Sequence, residues 1–321
     1  MKLPSPRELL HRTPVRVAVG LIGIGVLAAA IAYAGAGEVW RGLGKSAPML
    51  PWVLALEAGM LVCNTFALRA LYGPLVDRTN TRGWLRAAML GYTVGVVAPL
   101  GRAAAEASRA LLLKRGVGGP RAAVAAVQMQ GVVLLANFFA SAIAFVASVK
   151  ALGMNRASIF VAANAALALV LGMSILVVRK RGRPGRLLGN FGAEFDATPG
   201  ATSPEVFASL AWEMGARVLH FAQCGVALLA VGRAFSPGVT LAVQGTQLVG
   251  STLGDAIPAQ LGATEATLVM SASSLMLTST MAATLALLIH AAQLALAAIC
   301  GAGAMTIPGG AQMAQTVEVE S

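Results

Sequence analysis

The sequence predicts an all-α protein that crosses a membrane several times, and three observations carry that prediction. Apolar residues make up 57% of the 321-residue chain and charged residues only 12%, where a soluble chain carries about a quarter charged residues. Several apolar runs reach the roughly 20 residues that a helix needs to cross ~30 Å of hydrocarbon. The alternating segments of about ten residues that mark a membrane barrel are absent from the sequence.

Spanning helices are expected at about 17–36, 49–71, 122–149, 157–178, 205–232 and 279–303. A basic arm, 1–16, precedes the first of them with Lys2, Arg7, Arg12 and Arg16. The Ala-Tyr-Ala at 32–34 imitates a signal-peptidase site, but further membrane segments follow, so the first helix is expected to stay uncleaved. A basic loop, 179–204, and a tail, 304–321, complete a single membrane domain over 17–303. Two apolar stretches are left over, 84–113 and 238–275, giving up to eight segments by hydropathy.

Positive charge orients the array. Eighteen Lys and Arg residues fall in the arm, around 69–86, around 102–121 and in 179–186, and only Arg41, Lys45, Lys150, Arg156 and Arg233 fall in the alternate set of connections. Cytoplasmic loops carry the excess of Lys and Arg. Both termini are therefore expected on the cytoplasmic side of the membrane. Basic clusters flank 84–113 on both sides, so this stretch is expected to dip in and return to the cytoplasmic face. By the same reasoning 238–275 enters and leaves from outside. The net charge of +11 is spent on these short loops and does not suggest nucleic acid.

The leftover stretches share a motif. Gly91–Ala107 and Gly250–Ala266, aligned at a constant offset of 159, agree at seven of seventeen positions: Gly91/Gly250, Thr93/Thr252, Gly95/Gly254, Pro99/Pro258, Ala104/Ala263, Glu106/Glu265 and Ala107/Ala266. Helix, re-entrant hairpin, helix over 49–149 would then be repeated over 205–303 in inverted topology, a recurring transporter design. Gly91, Gly95, Gly250 and Gly254 are small-xxx-small pairs suited to close helix packing. These four glycines are also expected at the hairpin breaks, with Pro99 and Pro258 starting each returning limb and Gly262 in the second turn. Free amides at that limb's start attract an anion. Backbone at such depth is tolerated only where protein or a water-filled cavity covers it, so a cavity is expected at each tip.

Chemistry clusters nearby. Arg102, Glu106 and Arg109 are spaced i, i+4, i+7 on one face. Two guanidiniums flanking a carboxylate suit a phosphodiester head group; the same pattern also describes a salt-bridged interfacial helix. Glu265 has no basic neighbour in sequence, only Asp255 nearby, so the two cavities are expected to differ, with Glu265 as the proton-exchanging site. Glu213, Arg217 and His220 share a second i, i+4, i+7 face. Charges at membrane depth mark a pathway or a partner, and Glu213 and Arg217 can equally neutralise each other. Glu57, His220 and His290 lie within spans, the histidines read as interhelical hydrogen bonders. Trp40, Trp52, Trp84 and Trp212 are read as interfacial anchors, and Cys63, Cys224 and Cys300 as packing residues. No cysteine pair has metal spacing, and no nucleotide loop, zinc-protease motif or nucleophile elbow occurs, so neither metal, cofactor nor enzymatic activity is expected.

"APLGRAAAEASRALLLKRG" (98–116) resembles the first signature of the lysylphosphatidylglycerol synthase transmembrane-region family of flippase-like membrane proteins, and "IPAQLGATEATLV" (257–269) resembles its second. Pro99, Arg102, Glu106 and Arg109 match the first; Pro258, Gly262, Glu265 and Ala266 match the second. Ala105 stands where the family usually has glycine, and Ala259 and Gln260 replace part of a Gly-rich turn. In bifunctional members the resemblance associates this domain with moving an aminoacylated lipid, made by a separate soluble domain. Stand-alone relatives are linked to isoprenoid, hopanoid or glycolipid handling.

The resemblance thus implies a flippase-like protein that binds a membrane lipid with an anionic or isoprenoid head group and moves it without ATP. The candidate binding residues are Arg102, Glu106, Arg109, Glu213, Arg217, Asp255 and Glu265. Two rivals stand beside it: a phosphatidylglycerol lysyltransferase, for which the longest hydrophilic stretch, Arg179 to Glu205, is too short to be the catalytic domain, and a non-transporting scaffold for lipid or glycan synthesis.

Overall fold

The computed structural model describes residues 13–177 and 203–307, with side chains described over 20–176 and 203–307. The expected arm up to residue 12, nearly all of the loop 179–204 and the tail beyond 307 lie outside the described residues. The described chain is helical: α1 (Thr13–Ala34), α2 (Ala36–Ser46), α3 (Leu50–Tyr72), α4 (Thr81–Val97), α5 (Gly101–Val117), α6 (Gly119–Leu152), α7 (Arg156–Val177), α8 (Pro204–Ala230), α9 (Pro237–Gly254), α10 (Ala263–Met270) and α11 (Ser279–Thr306), with short 3₁₀ turns between some of them. Helices satisfy their backbone groups internally, which hydrocarbon demands.

Local chemistry sets the ends. Asn80 caps α4 by accepting from the Gly83 amide at 2.7 Å, Ser203 accepts from Val206 at the start of α8, and Thr278 from Met281 at the start of α11. Such caps satisfy amides that the first turn leaves free. Gly118 (φ 90°) and Gly153 (φ 73°) bracket α6, each in a conformation that glycine adopts without strain.

Four segments are long and apolar enough to cross a membrane unaided: Ala36–Arg78, Gly119–Leu152, Arg156–Leu176 and Ser279–Thr306. The apolar part of α1, Gly20–Ala34, is shorter. Helix α8 spans 27 residues, about 40 Å, but Glu213 and Arg217 lower its hydropathy. The segment 37–48, expected as a connection, is the amphipathic helix α2, with Val39 and Ser46 buried and Trp40, Arg41 and Lys45 exposed.

Both leftover stretches are helical hairpins. Helices α4 and α5 run antiparallel, Gly95 facing Ala105 and Gly91 facing Arg109. Helices α9 and α10 do the same, Gly254 facing Ala263 and Gly250 facing Thr264 and Thr267. At Gly250 a Cβ would stand 2.8 Å from the Thr264 Cα, so only glycine permits that approach. The four motif glycines thus lie inside the incoming limbs as packing points. The turns fall later, at 98–100 and 255–262. Pro99 lies two residues before α5 begins, and Pro258 opens a 3₁₀ turn (Pro258–Gln260) ahead of α10. Ala98 and Ile257, each before a proline, are extended, as the proline ring requires.

The two halves pack as equivalents. With α3, α4, α5 and α6 matched to α8, α9, α10 and α11, the packed pairs map onto one another: α4 on α11 and α9 on α6, α5 on α6 and α10 on α11, α3 on α11 and α8 on α6. Helices α3 and α8 pack against each other and run antiparallel, from the Phe66–Trp212 ring stack at 4.9 Å through Gly59 beside Leu219 to Gln223 on the Val53 carbonyl at 3.1 Å. Equivalent helices that run in opposite directions make the repeat inverted.

The hairpins therefore open at opposite ends of the bundle. One end holds Gly73 beside Glu205 and Gly116 beside Arg78 and Thr79; the other holds Ser46 on the Ala230 carbonyl and Gly238 beside Ala151. Arg78, Arg82, Arg86, Lys114, Arg115 and Arg121 gather at the first, which is the basic end.

One core cluster joins α8, α9, α10 and α11 with parts of α2 and α3, around Leu228, Val243, Leu268 and Leu285. A second joins α3, α4, α5 and α6 around Leu71, Tyr72, Leu113 and Met129. Trp84 belongs to this second core and is not an exposed anchor. Its ring meets Tyr72 edge-on at 5.2 Å, its Nε1 donates to the Val76 carbonyl, and the Arg69 guanidinium lies 5.6 Å from its ring. Trp40 and Trp52, at 77% and 67% exposure, stay on the surface.

Candidate functional site

The hairpin tips converge inside the bundle on one polar cavity with two lobes. A lobe of about 160 Å³ lies between α3, α8, α9 and α11. A lobe of about 220 Å³ lies between α3, α4, α5, α6 and α8. Glu57, Arg102, Arg217, Ser251, Gln260 and Gln293 line both. The sequence led us to expect a separate cavity at each tip; the antiparallel packing of the halves brings the tips together.

Arg102 ties one hairpin to the other. It is the second residue of α5, so it projects from the tip. Its Nη2 donates to Ser251 Oγ of α9 at 2.6 Å, and its Nε lies 3.6 Å from Asp255 Oδ1. Gln260 Nε2 donates to the same carboxylate oxygen at 3.3 Å, and Gln130 of α6 donates to the Arg102 carbonyl. Arg102 thus does not flank Glu106 as expected. Glu106 instead pairs with Arg109 at 2.6 Å, both side chains buried, while its Oε2 has no hydrogen-bond partner among the described residues.

Helix α8 supplies the next pair. Arg217 Nη2 and Glu213 Oε2 are 3.3 Å apart, the i, i+4 contact that the spacing allows. In the orientation that satisfies its neighbours, the Asn64 amide donates to Glu213 Oε1 at 2.8 Å. Among the described residues Glu57 accepts from two neutral donors, the Tyr92 hydroxyl and Gln223 Nε2, each at 2.8 Å. His220 meets Gln247 Oε1 at 2.9 Å, the interhelical hydrogen bond expected of it.

Glu265 is placed differently from its counterpart Glu106. It stands at the third position of α10 and accepts from the Gly262 amide at 2.9 Å, half of a capping box. The start of this limb is thus capped by its own carboxylate. Its Oε1 lies 3.0 Å from His290 Nδ1 of α11, so a basic partner absent from its own stretch comes from another helix. Glu265 lines neither lobe; His290 stands between it and the smaller one.

Backbone strain concentrates at the tips. Leu100, Ala259 and Gln260 adopt left-handed φ of 55°, 56° and 54°, costly for residues with a side chain. Ala259 and Gln260 are the two positions that depart from the Gly-rich turn, and they take the conformation a glycine there would take freely. Ala105 is buried against Gly95, so its methyl occupies the α4–α5 contact.

Seven of the sequence candidates thus share one neighbourhood: Arg102, Glu106, Arg109, Glu213 and Arg217 line the larger lobe, Asp255 holds Arg102, and Glu265 sits behind His290. Sequence reasoning missed the neutral groups Asn64, Tyr92, Gln130, Gln223, Gln247, Ser251 and Gln293. A signal existed for some: Gln244, Gln247 and Ser251 share a face at i, i+3, i+7, as do His290 and Gln293 at i, i+3. Among the described residues no group of three or more His, Cys, Asp or Glu could hold a metal ion.

Fold and site together define a polytopic helical membrane protein with an inverted pair of hairpins around a buried, charge-paired cavity. The chain belongs to the family described as "Lysylphosphatidylglycerol synthase TM region", whose model matches residues 18–301. No curated protein and no solved structure matches the chain.

Proposed function

We propose that this protein is a lipid translocase of the bacterial cytoplasmic membrane, passing a polar head group through the central cavity without ATP. The observation that carries the reading is the meeting of two oppositely directed hairpin tips at a cavity lined by Arg102, Arg109 and Arg217 with their carboxylate partners. The positive-inside rule supports placing the basic end in the cytoplasm, and in this reading both termini lie on that side and both hairpins are re-entrant. Each arginine offers a fork of donors suited to a phosphodiester. A head group entering the larger lobe exchanges the Arg102–Ser251 and Arg102–Asp255 contacts for its own phosphate, and hydrogen bonds to charged groups are worth about 1.5–3 kcal/mol each. Paired charges keep the desolvation cost of the empty cavity bearable, and partner exchange lets the head group move on.

The test is scrambling of labelled phospholipids and polyprenyl phosphates in proteoliposomes, for wild type, Arg102→Ala and Glu106→Gln. Wild type is expected to scramble at least one lipid class, with each variant slowed at least tenfold. No scrambling of any class by wild type overturns the reading and favours a scaffold. Lysyl-lipid formation from lysyl-tRNA by the purified chain would instead make it a transferase.

A further inference from the structure

We propose that the groove between α5 and α6 on the outer wall of the bundle holds an acyl chain of a membrane phospholipid, and that this is where the lipid enters from the bilayer. The inference rests on the translocase reading for its purpose, and on four observations of its own for the site.

The groove has a volume of about 620 Å³, within the roughly 300–1,000 Å³ of ligand pockets. Its wall is built from small and apolar residues, among them Ala103, Ala107, Ala110, Ala123 and Val127. Ala103, Ala107 and Val127 are exposed on the bundle surface.

The groove leads to the cavity. Glu106 and Gln130 line both the groove and the larger lobe. Glu106 is 6% exposed, and its Oε2 has no hydrogen-bond partner among the described residues. An unsatisfied buried oxygen costs free energy unless a donor reaches it, and a head group arriving by this route brings donors or bridging water. At the other end stands the exposed Lys114, at the basic end of the bundle, where an ammonium meets lipid phosphate. Lys114 at the mouth meets the phosphate of an arriving lipid, and Glu106 and Gln130 at the inner end receive the same head group once it has moved inward, leaving the acyl chain along the apolar wall.

Internal symmetry supplies a control. At the 159-residue offset Ala103 and Ala107 correspond to Gly262 and Ala266, so the equivalent surface lies between α10 and α11. That surface is covered: α1 packs on both helices, and Gly262 abuts the α1 backbone at Gly23 and Leu27. The second half thus covers with an apolar helix what the first half leaves open. The occupant of the open groove is therefore apolar, and its continuity with a charged cavity selects a chain that carries a polar head.

Photocrosslinking tests this in nanodiscs with the full chain, using phosphatidylglycerol that carries a diazirine on its acyl chain. Adducts mapped by mass spectrometry are expected to concentrate on 103–111 and 119–127. Ala107→Trp and Ala123→Phe, which fill the groove, should each lower that yield at least fivefold, while Val146→Trp, on the exposed face of α6 away from the groove, should leave it unchanged. Adducts spread evenly over all exposed helices, or unmoved by either filling variant, overturn the proposal. So does a protein–protein crosslink between copies in place of lipid adducts, which would give the groove to a second chain. The measurement needs no transport: groove adducts without scrambling would sink the translocase reading and the entry role with it but leave the acyl-chain site standing, and scrambling without groove adducts would sink the groove proposal alone.

Discussion

Arg102 of the first hairpin and Asp255 of the second lie 3.6 Å apart, 153 positions apart in the chain, and join the two inverted halves at their tips. Because both side chains are partly exposed to the cavity, the pair is expected to stabilise the fold by no more than about 1 kcal/mol. A double-mutant cycle with Arg102→Ala and Asp255→Ala, read by thermal unfolding in detergent, measures it. A coupling well above that range would make the tie a structural clamp, not a contact that a head group can exchange.

Topology follows from the ends at which the hairpins open. In a background lacking Cys63, Cys224 and Cys300, single cysteines at positions 80 and 118 should both escape an impermeant thiol reagent added outside cells. Single cysteines at positions 234 and 273 should both react. Labelling at 118 with protection at 80 would turn α4–α5 into a crossing and end the re-entrant reading.

Gly91 faces the Arg109 side chain so closely that a Cβ there would overlap it. Gly91→Leu is expected to drive Arg109 off Glu106. Removing one partner of a buried ion pair costs about 3–5 kcal/mol, so a large drop in melting temperature should follow. Glu106→Gln in the Gly91→Leu background should recover part of it, since the carboxylate would no longer be left unpaired. Equal stability of Gly91→Leu and wild type would place the side chains elsewhere.

Much of this architecture was legible in the chain. The spans showed as apolar runs, and both hairpins showed as Gly/Pro interruptions at one offset, because depth in a membrane and tight helix approach each leave a local composition. What was not legible depends on partners distant in sequence. The α4–α5 stretch says nothing of Ser251 or Asp255, so Arg102 was assigned to its own helix face and to Glu106. Trp84 looked like an anchor because Tyr72 and Arg69, which enclose it, come from α3. Helix α2 escaped because its apolar stripe, Val39 and Leu43, is too short to show as a run.

Glu265 separates capping from charge. Glu265→Gln keeps an oxygen for the Gly262 amide and is expected to leave the melting temperature near wild type. Glu265→Ala removes the cap and should cost about 1 kcal/mol in addition to the lost contact with His290. If the glutamine variant unfolds as readily as the alanine one, the His290 contact and not the cap holds this limb.

The antiparallel seam between α3 and α8 has one more consequence. In the language of assemblies it is an isologous interface, the same patch presented by both partners, here fused into one polypeptide through α7 and the residues that follow it. The chain is a pseudo-dimer whose dyad runs through that seam. A true dimer of this kind would offer the same surroundings to a molecule approaching from either side. This one does not, because Arg102 and Arg109 are answered across the dyad by Leu261 and Leu268. Unlike side chains at matched positions, with α1 covering only one of two matched surfaces, give a two-fold object a front and a back.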